Sequence, residues 1–227
     1  MADSCLLYYI TDRSAFAADE PTRRHLLLEK IAQAARAGVD YIQLRERDLP
    51  TRELESLSRE AVHLLKRLRT ENRELRTALL INSRTDVALS AGADGVHLRS
   101  EDISPRELRE LWEKCGAGAP ARENSPGGPL IGVSCHSPEE VTRAADEGAT
   151  FAVFAPVFEK KDIPNAPAAG LTQLGEACKA HIPVLPLGGL TLENAKQCLK
   201  AGAAGIAAIR LFQENNVSTI VKQIRGR

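Results

Sequence analysis

The chain repeats one pattern four times: an alanine-rich helical stretch ends at a glycine, and a short apolar run follows it. The glycines are Gly38, Gly92, Gly148 and Gly202, separated by 54, 56 and 54 residues. A glycine just past a helix adopts the left-handed conformation at no steric cost and ends the helix. One helix and one strand with their loops take about half of such a gap, so each gap holds two βα units. This spacing predicts eight strands and eight helices, which is a (β/α)8 TIM barrel of the α/β class.

The remaining elements fit this plan. A strand buried on both faces is an unbroken apolar run, and such runs lie between the repeats at Leu6–Ile10, Ala78–Ile81, Leu130–Val133 and Val184–Leu187. Helices are predicted at Thr22–Ala37, Thr51–Glu71 and Pro138–Glu147. The 227 residues suit one compact barrel, for which about 250 are usual. The Gly- and Pro-rich segment 116–129 is predicted to be a flexible insert on the N-terminal face, because it links a helix to the following strand.

Composition restricts the expected binding partners and the expected cellular compartment. Lys and Arg number 30, as do Asp and Glu, so no net field attracts nucleic acid or an anionic membrane. No segment is apolar enough to span a membrane, and the first residues lack a signal-peptide pattern. The scattered cysteines without a CxxC motif predict free thiols in a reducing cytoplasm rather than disulfides or a zinc site; they are Cys5, Cys115, Cys135, Cys178 and Cys198.

Barrel enzymes carry their chemistry at the C-terminal ends of the strands. After the second strand, alternation sends Gln43, Arg45 and Arg47 to one side. Guanidinium groups suit phosphate oxygens, so these residues predict a phosphate site. The alternative is an internal ion pair in which Glu46 or Asp48 neutralises the arginines.

Polar residues also follow the next strands. Asn82 ends the third strand and Asp102 follows the fourth. Both could supply oxygen atoms near a metal-bound phosphate, although Asp102 could instead be a surface carboxylate. His97 lies inside an apolar strand and is predicted to be a hydrogen-bonded core histidine.

The fifth strand is followed by Ser134-Cys135-His136-Ser137. Ser134 is predicted to contact a phosphate, and His136 stands at a strand end with acid–base possibilities. The alternative for His136 is capping of the helix that begins at Pro138. Cys135 is a poor candidate nucleophile, since nothing in the sequence favours a thiolate.

The seventh strand ends in Gly188-Gly189 and the eighth leads to Ile209-Arg210. Paired glycines let the backbone amides approach a ligand. The loops after strands seven and eight commonly form a phosphate cradle in this fold.

The long loop 159–169 after the sixth strand contains Lys160 and Lys161. Its lysines, prolines and small residues predict a lid over an anionic substrate; the alternative is an exposed, solubilising loop. Together with the other mouth residues it indicates a site for two phosphorylated groups.

Six segments, in order, cover nearly the whole chain: YYITD, QLRERD, LLINSRTDVALSAGADGVHLRSED, IGVSCHS, APVF and PLGGL. With them the chain resembles the thiamine-phosphate synthase family, which includes the related thiazole tautomerases. The resemblance implies a transferase with phosphorylated small-molecule substrates, Mg²⁺ and a homodimer. Hydroxymethylpyrimidine diphosphate would lose pyrophosphate dissociatively, and the nitrogen of a thiazole phosphate would attack the resulting carbon.

The resemblance also implies roles for individual residues. Stabilising the departing charge and excluding water matter most in a dissociative reaction. Arg45 and Ser134 are the catalytic candidates for it, and His136 is the candidate for acid–base chemistry. The family's pyrophosphate and pyrimidine contacts match Gln43, Arg45, Arg47 and Asn82. Asp102 matches a magnesium ligand and Ser134 a residue beside the reacting centre; the thiazole-phosphate cradle matches Gly188, Ile209 and Arg210, with Gly189 adjoining it.

Three departures from the family pattern leave the function open to alternatives. Ser83 stands where an aspartate is usual, Arg99-Ser100 replaces glycine-glutamine, and the loop at 159–162 lacks two threonines. Lys160 or Lys161 could replace the lost contacts, and Arg99 the lost positive charge. The first alternative is a thiazole tautomerase that uses His136 as acid and base. The second is a non-catalytic paralogue that binds a phosphorylated ligand.

Overall fold

The structure is a computed structural model, and it describes residues 5–115, 128–159 and 168–226. Eight strands alternate with helices along the chain. The strands are β1 Leu6–Ile10, β2 Tyr41–Leu44, β3 Ala78–Asn82, β4 Gly95–Leu98, β5 Leu130–Cys135, β6 Phe151–Phe154, β7 Val184–Pro186 and β8 Gly205–Ala208. The helices are α1 Glu20–Arg36, α2 Thr51–Glu71, α3 Thr85–Ala91, α4 Pro105–Lys114, α5 Pro138–Asp146, α6 Gly170–Ala177, α7 Leu192–Lys200, α8 Arg210–Gln213 and α9 Val217–Arg225.

All paired strands are parallel, in the order β7-β6-β5-β4-β3-β2-β1-β8. The two outer strands of this order approach each other where the N–H of Ala204, just before β8, donates to the Val184 carbonyl at 3.0 Å. The sheet therefore curls into a nearly closed barrel with helices around it. This confirms the predicted (β/α)8 fold.

The predicted helix and strand bounds hold to within about two residues. α1 begins at Glu20 rather than Thr22, because Asp19 caps it by accepting from the Thr22 N–H. The glycines of the fourfold repeat all have positive φ, between 69° and 105°. The last unit differs from the prediction: the four-residue α8 precedes α9 in the described part of the chain, so a short extra helix follows β8.

The apolar residues form two layers. One lies between the barrel and the helices, and the other fills the barrel itself. Inside the barrel the rings of Tyr41 and Phe151 stack at 4.9 Å, and Tyr8 meets Phe151 edge-on at 5.2 Å. This aromatic layer closes the barrel below its C-terminal mouth.

Two partly buried carboxylates, Asp40 and Asp94, stabilise the N-terminal face of the barrel. Asp40 accepts from the Leu7 N–H and from Arg225 Nη2, both at 2.7 Å. Asp94 accepts from the Leu79 N–H at 2.8 Å and from Arg69 Nη2 at 2.9 Å. Each carboxylate thus joins a strand start to an arginine from a helix.

The remaining sequence predictions concern the insert, the cysteines and membrane-spanning segments. Residues 116–127 of the predicted insert lie outside the described residues, and Gly128 leads into β5 at its N-terminal end, on the predicted side. All five cysteines are free thiols. Among the described helices, none combines the length and apolar character that crossing a bilayer requires.

Candidate active site

A cavity of about 710 Å³ opens at the C-terminal ends of the strands. It brings together most of the predicted site residues, namely Gln43, Arg45, Arg47, Asn82, Arg99, Ser134, His136, Gly188, Gly189, Ile209 and Arg210. Asp102 lies in an adjoining cleft that shares Arg99 and Ser134 with this cavity. Lys160 and Lys161 lie outside the described residues, so their lid role stays a prediction.

The two mouth arginines are not neutralised by the neighbouring carboxylates, contrary to the internal ion-pair alternative. Asp48 binds Arg13 through two contacts of 2.7 and 3.0 Å, and Glu46 contacts the same guanidinium at 3.3 Å. Within the described ranges, no carboxylate lies at ion-pair distance from Arg45 or Arg47. Burial, together with the charge of Arg47, lowers the pKa of Arg45. Among the described residues, the guanidinium groups of Arg45 and Arg47 therefore line the mouth without a direct ion-pair partner.

A buried brace holds the strand end that carries these arginines. Glu46 accepts from the Thr11 hydroxyl and, at 3.0 Å, from the Arg13 N–H. The Arg45 N–H in turn donates to Thr11 Oγ1 at 3.0 Å. Sequence reasoning missed this brace. The one available signal was the Thr-Asp-Arg that follows β1, which must meet the end of β2 at the same edge of the barrel.

Gln43 carries an acceptor with no partner. Its Nε2 donates to Asn82 Oδ1 at 2.8 Å, whereas its Oε1 has no hydrogen bond among the described groups. The residue is only 1% exposed, and a buried polar atom without a partner is costly. The Gln43 carbonyl thus needs a donor, which a ligand N–H group could supply.

Asp102 is tied to its own loop. Its carboxylate accepts from the Arg99 N–H at 2.8 Å and from Arg99 Nη2 at 3.1 Å. Burial alone would raise the pKa of Asp102, but the hydrogen bonds from Arg99 and from the Ser83 hydroxyl outweigh it and lower the pKa. The carboxylate stays ionised at the rim of the site.

The family resemblance implies magnesium, and the described residues fit it in one binding mode. In the parts of the chain that the structure describes, no three acidic, histidine or cysteine side chains group together as a metal site. Mg²⁺ in phosphate chemistry is commonly held by one or two carboxylates plus substrate oxygens and waters. The ionised carboxylate of Asp102 fits that mode, in which substrate oxygens and waters supply the other ligands.

Ser134 and His97 meet at the wall of the cavity. His97 Nε2 lies 2.8 Å from Ser134 Oγ, and His97 Nδ1 lies 3.1 Å from the Tyr8 hydroxyl. Burial, and then the charge of Arg45, lowers the pKa of His97 to about 3. His97 is therefore a neutral, hydrogen-bonded core histidine, as predicted, but it also reaches the cavity.

His136 does not cap α5, contrary to the alternative interpretation. The cap is Ser137, whose hydroxyl accepts from the Glu140 N–H at 3.3 Å. His136 Nδ1 lies 2.6 Å from the Ala155 carbonyl, and because a carbonyl only accepts, Nδ1 carries the hydrogen. Neighbouring Cys135 is buried, which raises the pKa of its thiol to about 12 and makes it a poor nucleophile, as predicted.

The backbone after β7 has no room for side chains. Gly188 and Gly189 have φ of 101° and 62°. A Cβ on Gly188 would lie 2.9 Å from Pro156 Cβ, and one on Gly189 would lie 2.6 Å from the Glu159 carbonyl oxygen. The chain can follow this path beside the cavity only with glycine at both positions.

Comparison with known proteins decides between the families that use this fold. The family model described as thiamine monophosphate synthase matches residues 7–212. The chain belongs to this family. The thiamine-phosphate synthase of Syntrophomonas wolfei is 36% identical over 207 residues, which are 89% of this chain and 86% of that protein.

Two further relatives match this protein over nearly its whole chain. The thiamine-phosphate synthase of Methanoculleus marisnigri is 34% identical over 224 residues, covering 97% of this chain and 94% of that protein. The solved thiamine phosphate pyrophosphorylase of Pyrococcus furiosus is 28% identical with a TM-score of 0.75, covering 99% and 96% of the two chains. These likenesses identify a transferase and favour the synthase over the tautomerase and non-catalytic alternatives.

Proposed function

We propose that the mouth cavity joins a hydroxymethylpyrimidine diphosphate to a thiazole phosphate and releases pyrophosphate, the thiamine-phosphate synthase reaction. The observation that carries the proposal is the absence of ion-pair partners for Arg45 and Arg47 among the described residues. A cavity wall with two such guanidiniums favours an anionic ligand with several oxygens. A tautomerase, which handles no diphosphate, would gain little from them.

In this proposal Arg45 and Arg47 stabilise the negative charge that develops on the departing pyrophosphate. The Thr11–Glu46–Arg13 brace fixes their backbone before substrate arrives, so the charge meets groups that are already in place. Arg45 is partly buried at the cavity wall. Its attraction for a diphosphate is strongest once the ligand displaces water.

Gln43 orients the pyrimidine in this proposal. Its unpaired Oε1 accepts from an N–H group of the substrate, while Nε2 remains bound to Asn82. The pairing removes the cost of the orphaned carbonyl only when the correct ring is bound. The same contact discriminates against a ring that lacks the donor.

The second phosphate is assigned to the backbone beyond β7 and β8. Gly188 and Gly189 expose the chain at the cavity, and Ile209 and Arg210 begin the short α8 across from them. Backbone amides at such a place suit phosphate oxygens. The thiazole phosphate would then lie against this cradle with its nitrogen toward Ser134.

Magnesium belongs to the same proposal and would arrive with the diphosphate. Asp102 would be its protein carboxylate, and when bound the ion would neutralise charge on the diphosphate oxygens. Asp102→Asn should raise the Mg²⁺ concentration needed for half-maximal rate. Ser83→Asp should lower it, because Ser83 at φ 58° tolerates aspartate and stands beside Asp102. An unchanged magnesium dependence in both variants would remove Asp102 as a ligand.

The homodimer and the cytoplasmic location stay part of the proposal. Free thiols support a reducing compartment, and sedimentation of the purified protein tests the dimer.

The decisive assay supplies purified protein with pyrimidine diphosphate, thiazole phosphate and Mg²⁺ and follows thiamine phosphate. We expect turnover of about 1 s⁻¹ or somewhat less. The matched control omits the thiazole phosphate, which should abolish product. Binding of thiazole phosphate without any product would contradict the synthase proposal and make His136 the next residue to replace.

A further inference from the structure

A chain of three polar groups runs from the barrel interior to the mouth. The Tyr8 hydroxyl lies 3.1 Å from His97 Nδ1, and His97 Nε2 lies 2.8 Å from Ser134 Oγ. Tyr8 and His97 are buried, and Ser134 lines the cavity. The mechanism described above uses only Ser134, so Tyr8 and His97 require a separate account.

The direction of the hydrogen bonds follows from counting protons. A neutral histidine carries one ring hydrogen, on Nδ1 or on Nε2. If Nδ1 carried it, Nδ1 would donate to the Tyr8 oxygen and the Tyr8 proton would need another acceptor. Within residues 5–115, 128–159 and 168–226 the Tyr8 hydroxyl has no other hydrogen bond. Its surroundings are the aromatic rings of Tyr41 and Phe151.

The arrangement that satisfies every buried group is therefore unique. Tyr8 donates to Nδ1, Nε2–H donates to Ser134 Oγ, and the Ser134 proton has no acceptor among the described residues. The opposite arrangement would leave a phenol proton unpaired in an apolar layer, which native structures avoid.

Charge state supports the same conclusion. Burial, and then the nearby charge of Arg45, lowers the pKa of His97 to about 3. Burial also raises the pKa of Tyr8 well above its ordinary value. Both groups are therefore neutral at neutral pH, and neither an imidazolium nor a phenolate offers another proton arrangement.

We propose that Tyr8 and His97 are positioning residues that fix Ser134 as a hydrogen-bond donor to the substrate. The substrate group at this point would accordingly be an acceptor: a diphosphate oxygen or an unprotonated nitrogen of the pyrimidine, but not the thiazole nitrogen, whose lone pair must stay free to attack. With the other tautomer, the serine proton would be used by His97 and the site would favour a substrate donor. The identity of the substrate rests on the proposed function. The direction of the hydrogen bonds from Tyr8 through His97 to Ser134 does not.

Gly132 on β5 leaves space for the His97 ring. A Cβ on Gly132 would lie 2.8 Å from His97 Nδ1 and 2.6 Å from Phe151 Cζ. Gly132 therefore gives the imidazole the space it needs beside the phenylalanine ring. The ring stays aligned between Tyr8 and Ser134.

The direct test is the ¹⁵N NMR spectrum of protein labelled at its five histidines. His97→Gln identifies the His97 signals by their loss. We expect a neutral ring with Nε2 protonated and Nδ1 unprotonated at neutral pH. A protonated Nδ1, or a charged ring, would overturn the proposal. The spectrum needs no turnover, so it stands even if the synthase assay fails.

Tyr8→Phe provides the second test, because it removes only the hydroxyl that sets the tautomer. We expect a mixture of His97 tautomers and a kcat about tenfold lower, the effect of one lost hydrogen bond in the transition state, with the KM for thiazole phosphate unchanged. Tyr9→Phe is the matched control: Tyr9 is also buried on β1, but its hydroxyl bonds Gln213. It should leave the His97 spectrum as in the wild type. Unchanged kcat in Tyr8→Phe would contradict a positioning role, and if this variant does not fold, the wild-type spectrum still decides.

Discussion

The two ends of the barrel differ in whether each of their polar groups has a partner within the described chain. At the N-terminal face, Asp40 and Asp94 each accept a strand N–H and an arginine, so acid and base satisfy one another. At the C-terminal mouth, Arg45 has no carboxylate at ion-pair distance within the described chain, and Gln43 Oε1 has no donor. Groups satisfied by the protein contribute to stability, and groups left unsatisfied are available to a ligand.

The difference arises within the same strands. β2 begins next to Asp40, which joins the start of β1 to Arg225, and it is followed by Arg45, which faces the cavity. The contacts of Asp40 and Arg225 therefore stabilise one end of β2, and Arg45 at the other end has no ion-pair partner among the described residues. Variants at the two ends should separate activity from stability.

The largest effect is expected from Arg45→Ala. Loss of charge stabilisation in the transition state should lower kcat about 100- to 1,000-fold. Stability should be unchanged or slightly higher, because a half-buried charge without an ion-pair partner is removed. Steady-state kinetics and urea denaturation measure the two quantities. Arg69→Ala, at the N-terminal face, is the control and should show the opposite pattern, and normal turnover in Arg45→Ala would remove this residue from the mechanism.

Asp94→Ala should have the next largest effect, now on stability. It leaves the Leu79 N–H without its acceptor and removes the carboxylate from Arg69, which keeps the Thr77 carbonyl as an acceptor, so the free energy of unfolding should fall by about 2 kcal/mol. The kcat of the folded variant should stay at the wild-type value. Asp94→Asn, which keeps one acceptor oxygen, should lose less. A kcat that fell in parallel with stability would mean that the two ends are not independent.

The sequence predicted the barrel and most of its mouth because both depend on local regularities. The fourfold glycine spacing determined the number of strands, and strand alternation placed Gln43, Arg45 and Arg47 on one side. Contacts between distant segments carry no such periodicity. Tyr8 and His97 are 89 residues apart, and only closure of the barrel brings them together.

Loop paths were equally hard to predict. The ion-pair alternative for the mouth arginines was wrong because Glu46 and Asp48 turn to Arg13, which follows a different strand. Asp102, predicted as a metal ligand, accepts from Arg99 in the adjoining cleft, and its role as a metal ligand stays a prediction. For Glu46 and Asp48, competition among nearby charged partners decided the outcome, and sequence order does not rank such partners.

Gly188→Ala should have a smaller effect, confined to the cradle. The new Cβ would lie 2.9 Å from Pro156 Cβ at a φ of 101°, so the backbone must shift away from its phosphate-binding path. We expect the KM for thiazole phosphate to rise about tenfold, which is the loss of about one backbone hydrogen bond. The control is Gly92→Ala at the other end of the barrel. There φ is 69° with no close contact, so about 1–2 kcal/mol of stability should be lost at unchanged KM.

The smallest expected effect is a difference between Asp40 and Asp102 in how their contributions to stability change with pH. Burial raises the pKa of Asp40 above 3.8 despite the bonds from Leu7 and Arg225, whereas at Asp102 the bonds from Arg99 and Ser83 outweigh burial and lower the pKa. The stability contribution of Asp40 is therefore present below pH 3.8 and declines as pH rises through the raised pKa. That of Asp102 is present above pH 3.8 and declines as pH falls through the lowered pKa. Urea denaturation of Asp40→Asn and Asp102→Asn across acidic pH, each compared with the wild type, should give differences of opposite slope. Equal slopes would mean that the two carboxylates have similar surroundings, and the contrast between the ends of the barrel would then not extend to these acids.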